Sequence, residues 1–207
     1  MRKNNFKMAK YMESLGYCQK KAINNENLKY GLVPWVGVNP TVLILGTLPS
    51  DDSIKSGLYY QNPTNRFWEI MHIIFGGDID DHSKDFIISQ KIALWDCFRS
   101  AQRKDSADKN IIVGTETPND ILSFLKEHPT INCIILNGTT KHPKSGYSTI
   151  TAFNKYFYDL YDNYMILCLP QTSSRNERFG KTMEEKINKW SIVRKLVDEP
   201  AEVQNYR

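Results

Sequence analysis

The sequence predicts an α/β fold, a three-layer αβα sandwich with a central four-stranded, mostly parallel sheet. Two observations carry this expectation. Four short runs, TVLILG (41–46), KIALWD (91–96), INCIILNG (131–138) and YMILCLP (164–170), are apolar without alternation, as strands buried on both faces must be. The segments between them read as helices, and strands alternating with helices build a sheet covered on both sides.

The elements follow in chain order. TVLILG stops at Gly46, and NRFWEIMHIIF (65–75) has the apolar spacing of a helix that leads to KIALWD. PNDILSFLKEH (118–128) is a second helix, with Pro118, Asn119 and Asp120 supplying a capped start. YSTITAFNKYFYDLY (147–161) joins the third and fourth runs, and KTMEEKINKWSIVRKLV (181–197) closes the fold. No composition shift or repeat divides the 207 residues, so one domain is expected with its core at about residues 31–195. Residues 1–30 read as an N-terminal helical extension and 198–207 as a frayed tail.

Composition excludes several classes. Hydrophobic residues make up 41 % and charged residues 24 % of the chain, the balance of a globular protein rather than a disordered one. No apolar run approaches the roughly 18 residues of a spanning helix. The basic N-terminus lacks the apolar stretch of a secretory signal, so a cytoplasmic location and a monomer are the default expectations. Cys18, Cys97, Cys133 and Cys168 are far apart in sequence, and the four histidines show no paired ligand spacing. Neither disulfides, a metal nor a cofactor is therefore expected. A net charge of +4 permits a polyanionic partner without identifying one.

In open sheets of this kind ligands bind outside the carboxyl ends of the strands. The loops that matter are then 46–64, 96–110, 137–146 and 170–180. In GTLPSDDS (46–53), Gly46 allows close backbone approach, Pro49 stiffens the turn, and Ser50 or Asp51 is placed to cap a helix. The loop matches neither the phosphate-binding G-x-x-x-x-G-K-S/T pattern nor the dinucleotide G-x-G-x-x-G pattern. In YYQNPTNRFW (59–68) the tyrosines either pack at the core edge or stack on a base, and Asn65 is either a helix cap or a site residue. ILNGTTKH (135–142) ends a strand at Asn137, whose amide suits the edge of a base as well as a turn. LPQTSSRNERF (169–179) offers hydroxyls, backbone amides and Arg175 and Arg178, which suit phosphate oxygens, although an exposed polar loop reads the same way.

The order of these loops is more specific than any one of them. G-T-L-P-S, Y-Y-x-x-P-x-N-R-F-W, L-W-D, L-N-G and L-P-x-T-S in succession resemble the uracil-DNA glycosylase superfamily. The resemblance covers about residues 31–195 and is nearest to the hypoxanthine (deoxyinosine) DNA glycosylase branch, with a more distant likeness to the mismatch-specific uracil-DNA glycosylases. Y-Y-x-x-P-x-N-R-F-W is its most specific part. The resemblance implies a monofunctional glycosylase that flips a deaminated base out of DNA and hydrolyses its N-glycosidic bond, with DNA containing such bases as its partner.

It also implies roles by position. Gly46, Thr47, Leu48, Pro49 and Ser50 would line the base pocket, Tyr60 would stack on the flipped base, and Asn137 would read its edge. Leu169, Pro170, Gln171, Thr172, Ser173, Ser174, Arg175 and Arg178 would press into DNA and bind flanking phosphates. Relatives that excise uracil commonly hold Asp or Asn where this chain has Leu48. The water-positioning role then passes to Asn65, an amide being sufficient where the sugar becomes electrophilic. Further departures are Gln171 and Ser174 in the last motif and Asp105 in RKDSADKNI (103–111); Asp96, at the end of KIALWD, with Ser106 and Asp108 are candidate supports of the pocket floor. Lys141 and Lys144 read as a basic DNA-facing loop rather than as Schiff-base nucleophiles, so no lyase activity is expected. A lesion-binding module of the same fold without catalysis, and a small-molecule nucleoside hydrolase, are the alternative readings.

Overall fold

The computed structural model describes residues 27–140, 145–173 and 182–199. Four parallel strands, β2 (Val42–Gly46), β3 (Ile92–Asp96), β6 (Cys133–Asn137) and β7 (Met165–Leu169), form a sheet in the order β3-β2-β6-β7. Alternation along β2 explains why the runs are apolar throughout. Leu43 and Leu45 enter one core with Ala93, Ile134, Leu136, Phe124 and Phe153, while Val42 and Ile44 enter the other with Ile92, Leu94, Ile135, Phe67, Trp68 and Trp190. Each face meets helices: α4 (Ile121–Glu127) and α5 (Thr149–Tyr156) on the first, α2 (Phe67–Phe75), α3 (Lys84–Ser89), α6 (Met183–Trp190) and α7 (Ile192–Asp198) on the second. The expected three layers and parallel sheet are present.

Several local expectations change. The last helical stretch is two helices broken at Ser191, the first opened by a capping box between Thr182 and Glu185, a T-x-x-E signal visible in the sequence. Asp120 alone caps α4, its carboxylate accepting from Ser123 N. The loop after Gly46 contains a short helix, α1 (Asp51–Ser56), capped by Ser50 and closed by Gly57 at φ +73°. The 96–110 segment is not simply a loop: after Cys97 the chain forms β4 (Phe98–Gln102), the centre of an antiparallel sheet between β1 (Leu28–Tyr30) and β5 (Thr117–Pro118). Leu28–Tyr30 is therefore a strand, not the end of an N-terminal helix.

Parallel register brings strand ends together. Gly46 lies opposite Asp96, Leu45 opposite Leu136, and Asn137 opposite Leu169. The second sheet is tied to the same corner, because Cys97 N donates to Gly46 O and Phe98 N to Thr47 O.

Candidate active site

A cavity of about 820 Å³ opens at these strand ends, lined by Gly46 to Ser50, Tyr59, Tyr60, Asn65, Asp96, Asp108, Asn137 and Gln171 to Ser173 among others. Its volume is that of a small-molecule site. Residues from four separate loops converge there.

The first wall is held from behind. Arg103 is fully buried, and its guanidinium donates to Leu48 O at 3.1 Å and to Pro49 O. The same group faces Asp108 at 3.4 Å and Asp51 at 3.8 Å. Ser106 Oγ accepts from Asp51 N, and Ser50 accepts from Ser53 N at the start of α1. A forked, always-charged side chain fits two neighbouring carbonyls and a carboxylate at once. Leu48 packs into the first core. Gly46 has a steric reason to lack a side chain, since a Cβ there would overlap Asp96 Oδ1.

The second wall is the aromatic turn. Tyr59 OH donates to Val33 O and Trp68 Nε1 donates to Tyr59 O, so the hydroxyl and the backbone of Tyr59 are both pinned. Tyr60 adopts φ +58° and its ring stacks on Phe67 with centroids 3.8 Å apart. Burial, reinforced by Asp96, raises the Tyr60 phenol well above its ordinary pKa.

Asn65 sits where this turn enters α2. Its Oδ1 accepts from Phe67 N at 2.9 Å, so the carbonyl half of the amide starts the helix. Its backbone bridges Ser173, and Arg66 N donates to Thr172 O. The amide nitrogen of Asn65, at the cavity, has no hydrogen-bond partner among the described residues.

Asn137 is engaged more fully. Its Nδ2 donates to Thr172 Oγ1 and its Oδ1 accepts from Thr172 N, both at 3.0 Å. The Tyr60 phenol also lies within hydrogen-bonding reach of this amide. Thr149 Oγ1 donates to Asn137 O and lies 3.1 Å from Thr47 Oγ1, linking the strand end to the first wall. Thr172 is fully buried, and Leu169 and Pro170 are buried as well. Leu169 and Pro170 support the loop from inside, whereas Gln171, Thr172 and Ser173 line the cavity. Ser174, Arg175 and Arg178, like Lys141 and Lys144, lie outside the described residues.

Two acids form the floor. Asp96 is 4 % exposed and its Oδ2 has no hydrogen-bond partner. Burial, with Asp108 nearby and Arg103 opposing, raises its pKa to about 8. Burial also raises Asp108, to about 6, against the pull of Arg103 and a hydrogen bond from Thr47.

The profile of the Uracil DNA glycosylase superfamily matches residues 33–193, which span the sheet and every loop of this cavity. The chain belongs to that superfamily. A protein of Methanosarcina acetivorans named hypoxanthine DNA glycosylase is 31 % identical over 170 residues, covering 80 % of this chain and 98 % of that one. One of Methanosarcina barkeri with the same name is 32 % identical over 115 residues, covering 53 % and 71 %. The solution NMR structure of a candidate uracil DNA glycosylase from Methanosarcina acetivorans is similar with a TM-score of 0.65 at 26 % identity, over 83 % of this chain and 99 % of that one.

In this glycosylase-superfamily fold, sequence reading overlooked three supports. Arg103 stood at the start of RKDSADKNI without a role, Thr149 was hidden in a helix, and Lys186, fully buried, donates to Ser173 O at 3.1 Å. A lysine in an amphipathic helix reads as surface, so only its burial reveals it.

Proposed function

We propose that the protein is a monofunctional DNA glycosylase that flips a deaminated base out of DNA and hydrolyses its N-glycosidic bond, acting on hypoxanthine and to be tested equally on uracil. The observation that carries this reading is the convergence of the five motif segments on one cavity, with the amide nitrogen of Asn65 unengaged beside it. Both curated relatives are named hypoxanthine DNA glycosylase, which puts deoxyinosine first among substrates.

Flipping is required because the target bond is inaccessible within the stack, and a mispaired base is cheaper to extrude. The flipped base enters between the Gly46–Ser50 wall and Tyr60, whose far face is backed by Phe67. As the bond from sugar to base lengthens, positive charge develops on the sugar and negative charge on the base. Fixed donors then stabilise the leaving base better than water does. Because Asn65 Oδ1 is committed to the helix start, one of its amide N–H groups holds the attacking water by the oxygen, leaving the second lone pair for the sugar carbon. The water supplies hydroxyl to the sugar and its proton goes to the departing base. Bracing the helix start and directing water are thus compatible roles for one amide.

Lysine chemistry plays no part in this reading. Lys109, which lines the cavity among the described residues, is exposed at the rim, and borohydride trapping of protein on lesion DNA would contradict this reading. The deciding experiment is release of free base from oligonucleotides carrying deoxyinosine or deoxyuridine. Tight lesion binding without release would support the non-catalytic alternative.

A further inference from the structure

Among the described residues Lys186 is the only buried lysine, closed to solvent completely, and the proposed hydrolysis leaves it without a role. With Met183, Ile187 and Trp190 it occupies the i, i+3, i+4, i+7 face that α6 turns toward the second core. An ammonium taken out of water is costly unless it is bonded in place, and a methionine of similar length would fill the same space without that cost. What the charge gains there is a backbone carbonyl: Lys186 Nζ donates to Ser173 O at 3.1 Å. One turn further along the same face, Trp190 Nε1 donates to Pro170 O at 2.9 Å. Two side chains of α6 therefore hold the 170–173 segment at both of its ends.

The other side of that segment lies against the start of α2. Arg66 N donates to Thr172 O at 2.9 Å, and Asn65 pairs with Ser173 in an antiparallel bridge. The Trp190 ring in turn meets Phe67 edge-on, with centroids 6.1 Å apart, and Phe67 N is the donor that fixes Asn65 Oδ1. Asn65 thus stands between Ser173 and Phe67, and α6 reaches both of them. A shift at Ser173 passes through the paired backbone to Asn65. Aiming a water at a sugar carbon tolerates little error, since a misplacement of about 1 Å can cost about 100-fold in rate.

We infer that Lys186 is a positioning residue for base release: by holding Ser173 O it keeps the 170–173 segment in register with the start of α2, and so keeps the Asn65 amide aimed at the attacking water. This rests on the glycosylase reading and extends it to a residue outside the cavity. Lys186 does not line the cavity and has no exposed surface, so it acts through Asn65 rather than on the base or the DNA.

The test uses the full chain as parent, Lys186→Met and Lys186→Gln, each substitution made also in an Asn65→Ala background. Met keeps the length and loses the ammonium, whereas Gln stays polar but is too short to reach Ser173 O. Three quantities are measured: the maximum single-turnover rate of base release from a deoxyinosine duplex, binding of a duplex carrying a 2′-fluorinated, uncleavable deoxyinosine, and thermal denaturation. Both variants fold and release base about 10- to 100-fold more slowly than the parent. They bind the uncleavable duplex within about threefold of the parent, because the loss is in the maximum rate. In the Asn65→Ala background the same substitutions change the rate by less than about twofold, since the amide through which Lys186 acts is gone. A folded Lys186→Met or Lys186→Gln at the parent's rate, a loss that multiplies with that of Asn65→Ala, a loss of binding as large as the loss of rate, or failure of both variants to fold overturns the inference while leaving the glycosylase reading intact. A parent that releases no base from deoxyinosine or deoxyuridine DNA removes both.

Discussion

Replacing Arg103 with Met is the most demanding test of how the pocket wall is held. The guanidinium is fully buried and serves four groups: the Leu48 and Pro49 carbonyls, Asp108 and, more distantly, Asp51. Met fills most of the volume but offers none of the donors. Two carbonyls and a partly buried carboxylate then lose their partner together, and breaking a buried ion pair from one side costs up to about 3–5 kcal/mol. For a chain of this size each kcal/mol lowers Tm by roughly 2–4 °C, so a fall of about 6–20 °C is expected. Urea denaturation followed by tryptophan fluorescence measures the loss directly, and Arg103→Lys, with the charge but not the fork, should lie between Met and the parent. Base release should fall further than stability predicts, because the Gly46–Ser50 wall loses its backing. A loss below about 1 kcal/mol with an unchanged denaturant slope would refute the account of this buried guanidinium.

Other outcomes follow from the same geometry. Gly46→Ala should displace the Asp96 carboxyl, costing about 1–3 kcal/mol from overpacking, read as a lower Tm in thermal denaturation. Glu116 accepts from Lys155 Nζ at 2.6 Å and from the Tyr147 and Tyr156 hydroxyls, and although burial opposes its charge these bonds bring its pKa down to about 2. Its contribution is present above the ordinary carboxylate range and lost as pH falls toward about 2, so Glu116→Gln should cost about 1–2 kcal/mol at neutral pH and nothing in strong acid, read by denaturation at several pH values. Asp96 has the opposite sign: its raised pKa means stability declines as pH rises from about 4 to about 8, so Asp96→Asn should melt higher than the parent at pH 8 and show a smaller gain at pH 5. Asn65→Ala should lose about 0.5–1.5 kcal/mol with its hydrogen bond from Phe67 N but at least about 100-fold in single-turnover rate.

The sheet was legible because both of its faces are buried. TVLILG, KIALWD, INCIILNG and YMILCLP each carry a strand that falls within a residue or two of the run, since burial on two faces needs a continuous apolar segment. The antiparallel sheet escaped notice for the converse reason. FRSAQ mixes exposed and buried positions, follows β3 after a single residue, and pairs with Leu28–Tyr30 some seventy positions earlier, and such pairing is decided by tertiary contacts rather than propensity. α3 has six residues, too few to show a helical period, and Ser83 was its only signal.

The site divides in the same way. Its location at the strand ends, and several of the residues that line it, were readable from loop chemistry and motif order. What each polar group is already bonded to was not. Asn137 announces an amide, but Thr172, which occupies it, comes thirty-five residues later in the chain. Asp96 announces a carboxyl, whereas its importance lies in the partner it lacks and in the desolvation that goes with it. Both properties belong to the folded arrangement.

The central claim is that this cavity receives a deaminated base and Asn65 directs water at its sugar. The most direct measurement is single-turnover release of hypoxanthine from a deoxyinosine duplex by the parent and by Asn65→Ala, with folding of both checked by thermal denaturation. The account predicts free hypoxanthine and an alkali-labile abasic site with the parent, and a rate lower by at least about 100-fold with the folded variant. Equal rates for the two, or no base released by a parent that binds the lesion, would contradict it.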